Sequence, residues 1–383
     1  MKHKQKIVNV VSVFFSIPFF FGDQLKFFSK KGYDIYLICS PSDKIEAFAS
    51  NQGVKFKEFS ILRKFSIIQD IKSVFKLYRY FKQQQFDIVV GHTPKGALLA
   101  MIASFFARTP KRIFFRHGLV YETKIGISKI LLINIERFTT LLATKVVCVS
   151  PYLIEKSISD KLSNPKKLLL LNIGSCNGVD VLHKYNPSNI LKPKQEELRS
   201  LYKISNEDYV IGYVGRLVKD KGIPELIKSF DNLKVKYNNI KLLLVGPYED
   251  KDILDDDTYS SIETDENIIK VGHIDEDIEY YYSLMNVFIL PTHREGLGTA
   301  ILEASSMGLP VITAGHTGSR DAILSEVNGN YVQINSKSIE NMLSQYIENP
   351  KKYFQYGVKG RNHMLNNFKQ ELIWKEIEDK IYN

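Results

Sequence analysis

Short apolar runs of strand length alternate with longer amphipathic stretches along this chain, and the alternation is played through twice. In the first half the runs are Ile7–Val13, Asp34–Cys39, Asp87–Gly91, Arg112–Phe115 and Lys145–Ser150. Between them lie stretches such as Ile67–Gln84 and Lys95–Phe106, with apolar residues three and four apart. The second half repeats the scheme with Tyr209–Val214, Ile240–Val245, Ile268–Val271, Val287–Leu290 and Pro310–Ala314. Runs buried on both faces and separated by helices predict βαβ units and parallel sheets. Asn172–Pro193 has no periodicity and carries Gly174, Gly178, Pro187 and Pro193, so it reads as a linker. The expected architecture is α/β, with two Rossmann-like, doubly wound domains facing across a cleft. They span residues 1–185 and 186–367, and 368–383 forms a C-terminal helix with Trp374 that packs back on the first domain. Ligands of such folds bind at the carboxyl ends of the strands.

Charge adds a second constraint. The net charge is +10, but residues 1–195 hold 31 Lys+Arg against 12 Asp+Glu, and the remainder 21 against 30. A basic front half calls for an anionic partner, or else it is a plain solvated lysine surface. Lys26, Lys30, Lys31, Lys64, Lys72, Lys76, Arg79 and Lys82 are interleaved with Phe19, Phe20, Phe21, Phe27, Phe28, Phe65 and Phe75, a mixture suited to an anionic membrane surface. No helix-turn-helix, zinc-module or RNP-type motif accompanies the charge, so nucleic acid is not expected. The basic Met1–Lys6 followed by apolar Ile7–Phe21 superficially suggests a signal peptide, but Pro18 interrupts it and no small-x-small site follows. No apolar run reaches the ~18 residues of a membrane span. Cys39, Cys148 and Cys176 lie too far apart for a disulfide framework or a zinc set, which fits a reducing compartment.

Two segments carry chemistry. Thr292-His-Arg-Glu295-Gly296-Leu297-Gly298-Thr299 follows a strand and opens a helix containing Glu303. A glycine turn feeding a helix N-terminus presents free N–H groups to a phosphate. A carboxylate such as Glu295 or Glu303 accepts two hydrogen bonds from vicinal sugar hydroxyls; the plainer role of an acidic residue here is to stabilise the helix dipole. In Val214-Gly215-Arg216-Leu-Val-Lys-Asp-Lys221-Gly222, a strand ends in a glycine followed by two cations able to neutralise a diphosphate without a metal. No Walker loop, G-x-G-x-x-G or G-x-S-x-G is present.

These residues resemble glycosyltransferase family 4, the retaining GT-B glycosyltransferases. The resemblance rests on Gly215-Arg216-Leu217 with Lys221-Gly222, on Leu244-Val245-Gly246, and on Glu295-x7-Glu303. Arg116-His117-Gly118, Gly91-His92-Thr93-Pro94-Lys95 and Ile173–Asp180 resemble the family's bacterial surface-polysaccharide branch. The resemblance implies that Arg216 and Lys221 hold the leaving diphosphate, Glu303 the ribose, and Glu295 the donor sugar beside the amides of Gly296, Leu297 and Gly298 at the start of the Thr299 helix. His273 would border the base, with Gly215 and Gly246 lining the donor pocket, and His117 would face the sugar near its anomeric carbon. Gly22 matches the family's first-strand loop, although Phe20-Phe21-Gly22-Asp23 replaces its usual double glycine. His92 and Lys95 are candidates for the acceptor side.

The implied enzyme transfers a hexosyl or N-acetylhexosaminyl group with retention, from a nucleotide-diphosphate sugar, UDP-linked by preference, to an undecaprenyl-diphosphate-linked glycan in capsule, O-antigen or exopolysaccharide assembly. It would need no metal or other cofactor and would work as a peripheral protein on the cytoplasmic face of the inner membrane. Asp255-Asp256-Asp257 has a metal-binding look, but it sits in a polar acidic stretch and reads as a solvated loop. Alternatives are a UDP-sugar epimerase or phosphorylase of the same fold, or a non-catalytic sugar-nucleotide-binding partner.

Overall fold

A computed structural model describes residues 4–62, 66–250 and 252–383. Its first sheet contains β1 (Lys6–Val10), β2 (Asp34–Cys39), β3 (Lys55–Glu58), β4 (Ile88–Gly91), β5 (Lys111–Arg116), β6 (Lys145–Cys148) and β7 (Leu168–Leu170). The second contains β8 (Tyr209–Val214), β9 (Ile240–Val245), β10 (Ile268–Gly272), β11 (Val287–Leu290), β12 (Val311–Ala314) and β13 (Gly329–Val332). Every pairing is parallel, in the orders β3-β2-β1-β4-β5-β6-β7 and β10-β9-β8-β11-β12-β13. The order reverses between β1 and β4, and again between β8 and β11. The crevice beyond the strand ends at such a reversal is where ligands of open α/β sheets bind.

The central strands are apolar on both faces because helices cover both. Ile7, Leu37, Ile88, Val90, Ile113 and Val147 are all buried in the first core. The edge strands β3 and β13 do not stand out in the sequence, β3 reading Lys-Phe-Lys-Glu and exposed throughout; the edge strand β7 is the apolar run Leu168–Leu170, absent from the runs read above.

The chain divides into two units, residues 1–178 with 370–383, and residues 179–369. The boundary lies at Gly178/Val179 rather than at 185/186. The Arg361 guanidinium binds the carbonyls of Val181 (3.2 Å) and Tyr185 (3.1 Å) and the Asn186 amide oxygen (2.9 Å), which ties residues 179–186 to the second unit. The C-terminal segment contributes Trp374, Ile377, Ile381 and Tyr382 to the first core. Trp374 packs 4.9 Å from Phe27, and its indole N–H donates to Asn177 Oδ1 at 2.8 Å. Phe21 and Phe28 therefore belong to the core, whereas Phe19 and Phe75 are exposed. Lys64 and Phe65 lie outside the described residues, as do residues 1–3 of the basic N-terminal stretch. Among the described residues no helix is long and apolar enough to cross a membrane.

Candidate active site

In the second unit, the loops after β8 and β11 meet beside the strand-order reversal. Lys221 Nζ lies 2.5 Å from Glu295 Oε2 and 3.4 Å from the Arg294 carbonyl. Gly296 N–H donates to Glu295 Oε1 at 3.1 Å. Burial pushes the Glu295 carboxyl up, but the Lys221 charge and bond and the Gly296 amide outweigh it and hold it below the usual value. The approach of the loops depends on Gly222, whose φ is +73° and where a Cβ would fall 1.9 Å from the Pro291 carbonyl oxygen. Arg294 and Asp220 join the same loops through a two-pronged ion pair at 3.1 and 2.7 Å.

Arg216 stands on the β8 loop with its carbonyl held by the buried Tyr213 hydroxyl at 2.8 Å. Its Nη1 pairs with Glu249 Oε2 at 2.7 Å, and Glu249 comes from the loop after β9. Gly246 opens that loop by donating to the Gly272 carbonyl at 2.8 Å. Each cation predicted to bind phosphate thus rests against a carboxylate.

Gly298, with φ +87°, caps the helix Thr299–Ser306, and no side chain caps this end. Its first amides lie beside the Glu295–Leu297 turn, an arrangement that accepts an anion. Glu303, one turn in, receives the Tyr282 hydroxyl at 2.7 Å. Burial raises its pKa, opposed by the hydroxyls of Tyr282 and Tyr185 and by Lys184. Gly318 donates its N–H to the Glu295 carbonyl at 3.0 Å and buttresses the turn from behind.

The structure thus joins Lys221 to Glu295 directly, while Arg216 and Glu303 have partners of their own. Glu249, Tyr185, Tyr282 and Gly318 escaped the sequence reading because each reaches the site from a different element. His273, after β10, pairs with Asp275 at 2.9 Å. Asp255 caps the helix Asp256–Thr264 by accepting from Thr258 N at 2.9 Å. A cavity of about 780 Å³ at the amino ends of the strands, lined by Tyr209, Met285, Pro310 and Tyr353, includes none of the predicted site residues.

In the first unit, His92 follows β4 and His117 follows β5. His92 is buried, with Nδ1 3.0 Å from His117 Nε2 and Nε2 3.2 Å from Asn9 Oδ1 on β1. Lys95 is buried too, 2.7 Å from Asp70. Gly22 has φ +47° and sits against the side chains of Asn177 and Gln370. Phe20 stacks on His117, with ring centroids 3.8 Å apart. Arg116 anchors the His117 turn from inside: its guanidinium is fully buried and binds Glu136 (3.1 Å), Ser157 (2.5 Å) and Thr140 (2.9 Å).

Burial pushes His117 down to about 3, and burial together with His117 pushes His92 well below its ordinary value. The unfolded chain takes up these protons below pH ~6.5 and the native state does not, so stability is lost as the pH falls through that value. The unfolding free energy, followed through the thermal midpoint, is expected to drop between about pH 6.5 and 5, before most carboxylates titrate, by on the order of 1–2 kcal/mol per ring. The drop should shrink in His117→Asn; an equal drop in that variant would exclude the pair as its source.

Residues 194–363 match the family model of glycosyl transferases group 1, and residues 22–168 that of glycosyltransferase family 4. The chain is 33% identical over 380 residues to the capsular polysaccharide biosynthesis glycosyltransferase CapM of Staphylococcus aureus, covering 99% of this chain and 97% of CapM. It is 29% identical over 311 residues to the UDP-Gal:alpha-D-GlcNAc-diphosphoundecaprenol alpha-1,3-galactosyltransferase of Escherichia coli, covering 79% and 77%. Its fold matches that of Anabaena Alr3699/HepE in complex with UDP and glucose, with a TM-score of 0.82, 17% identity and 99% coverage of both chains. With two parallel Rossmann-like sheets and these structural likenesses, the fold is that of the GT-B glycosyltransferases. Within that class, the chain belongs to glycosyltransferase family 4.

Proposed function

We propose that this glycosyltransferase moves a sugar, with retention and without a metal, from a UDP-sugar to an undecaprenyl-diphosphate-linked glycan during capsular or related surface polysaccharide assembly. The observation that carries the reading is the Lys221–Glu295 pair at the β8/β11 strand ends, with Arg216 on the same loop. A pyrophosphate entering there takes the two cations and releases Glu295 toward the sugar hydroxyls, while Glu303 meets the ribose. Two cations on the leaving diphosphate supply the charge stabilisation that a metal supplies elsewhere. The anomeric C–O bond breaks toward the diphosphate, the acceptor oxygen attacks from the same face, and its proton passes to the departing oxygen. The names of CapM and of the galactosyltransferase support the surface-polysaccharide setting and the lipid-linked acceptor, and the UDP complex of a structural neighbour supports the nucleotide.

The test combines purified protein, membranes carrying lipid-linked acceptors and a panel of nucleotide sugars, with and without EDTA, read by the mass of the lipid. One UDP-sugar is expected to add one sugar, with or without EDTA. Consumption of UDP-sugar without acceptor would favour the epimerase reading, and strong metal dependence would end the metal-free mechanism.

The reading includes docking on an anionic bilayer at the cytoplasmic face. The helix Ile67–Gln84 exposes Ile67, Ile68, Ile71 and Phe75 beside the exposed Lys72, Lys76, Arg79 and Lys82. The helix Gly126–Leu142, on the same side of the sheet, exposes Ile127, Ile130 and Leu131 at its start. Apolar residues flanked by cations suit a headgroup boundary, each cation contributing about 1 kcal/mol. Changing Lys72, Lys76 and Arg79 together to Glu should lower cosedimentation with phosphatidylglycerol vesicles by at least a hundredfold. Unchanged cosedimentation would remove this face from the reading.

A further inference from the structure

We propose that Asn9 and His92 are positioning residues that set the proton on His117, so that its outward nitrogen, Nδ1, presents a lone pair at the carboxyl edge of the first sheet. The proposal rests on the transferase reading above only for what His117 then does.

The geometry is a chain of three groups from three adjacent strands. Asn9 lies on β1, His92 follows β4, and His117 follows β5, and these strands are neighbours in the sheet. Asn9 and His92 are both buried. Asn9 Oδ1 can only accept, so the 3.2 Å contact places a proton on His92 Nε2. A neutral imidazole carries one N–H, which leaves His92 Nδ1 as an acceptor and makes His117 Nε2 the donor across 3.0 Å. His117 Nδ1 is then bare, and no described residue bonds it. Among the described residues Asn9 Nδ2 is buried without a partner, so the amide makes this one side-chain contact there. Turning the amide over would reverse every donor in the chain and give His117 an outward N–H.

Aromatic rings fix the plane as the hydrogen bonds fix the proton. Phe20 lies flat on His117 with 8° between the rings, and Phe21 meets His92 edge-on at 4.9 Å. Phe115 stacks on His92 at 5.0 Å. The Phe20-Phe21 pair walls in the two histidines. With ring tilt and inner nitrogen fixed, the Nδ1 edge is the part of His117 left to meet a ligand. A bare nitrogen there accepts a hydrogen bond from a hydroxyl and orients it.

The test uses the full-length protein with ¹⁵N-labelled histidine, read by long-range proton–nitrogen correlation spectra at neutral pH, with His117→Gln identifying the His117 signals. The expected result is His117 protonated on Nε2 and bare on Nδ1, with His92 in the same form. In Asn9→Ala, His117 is expected to become a mixture of both forms and kcat to fall at least tenfold, with the donor KM unchanged. Asn9→Asp, whose carboxylate accepts the same proton, is expected to restore both. A His117 bearing its proton on Nδ1 overturns the proposal, and so does Asn9→Ala with unchanged nitrogen shifts or unchanged kcat. Should Asn9→Ala not fold, the wild-type spectrum alone decides the proton's place. Absence of transfer with every donor would count against the transferase reading and leave the spectra to decide this one.

Discussion

Replacing Lys221 with alanine is expected to cut sugar transfer by about a hundred- to a thousandfold while leaving the protein folded. Lys221 is the cation bonded directly to Glu295, and its loop is held against the β11 loop by the Gly222 contact and the Arg294–Asp220 pair, neither of which depends on the ammonium. Removing it takes away a charge from the leaving diphosphate. It also leaves the partly buried Glu295 without its counter-ion, so the carboxyl drifts toward its protonated form. Both losses fall on kcat/KM. Lys221→Arg keeps the charge but spreads it over a planar fork too long for the 2.5 Å contact, and is expected to recover only part of the rate. Steady-state transfer on the lipid-linked acceptor measures this, and alanine activity within tenfold of wild type would falsify the placement of Lys221 in the donor site.

The second large effect is on stability. Arg116→Met should cost the first unit about 3–5 kcal/mol, because it strands Glu136 in the interior. Burial already pushes the Glu136 carboxyl up, and the Arg116 charge and hydrogen bond are what oppose it. The guanidinium also satisfies Ser157 and Thr140, so the change leaves several polar groups short of a partner. Adding Glu136→Leu removes the stranded charge and should return much of the loss. Urea unfolding followed by fluorescence reads the right unit, since Trp374 is the sole tryptophan and sits in that core. A midpoint within error of wild type for the single variant would mean that the pair does not brace the His117 turn.

What the sequence made legible, and what it did not, follows from how each feature is encoded. Central strands such as Tyr209–Val214 and Ile240–Val245 are apolar because both faces are covered, so a local run gives both their existence and their ends. At the edge strands β3 and β13 this fails. β13 packs only in part, and β3 carries charge at three of four positions, leaving no apolar run to find. The Glu295–Glu303 segment was readable because turn, helix start and both carboxylates are contiguous. Tyr282, Glu249 and Asn9 were not, because each lies far along the chain from the residue it serves, and only tertiary structure brings them together. Composition placed Phe21 and Phe28 among membrane-facing aromatics. The short helices instead turn Phe21 and Phe28 into the core, pack Phe20 and Phe27 against it, and leave Phe19 exposed.

The C-terminal segment bears on how the protein is made. The first unit needs residues 370–383 to complete its core, so a ribosome must pass that segment before the unit can close around Trp374 and Tyr382. Residues 179–369 form a continuous stretch and can fold as soon as they emerge. Until residues 370–383 arrive, Phe27 and Phe28 of the nascent protein lack their covering rings, which makes this an interval of exposure to chaperones and to aggregation. A message cut short just before residue 370 would therefore yield a product whose second unit is sound and whose first unit is not.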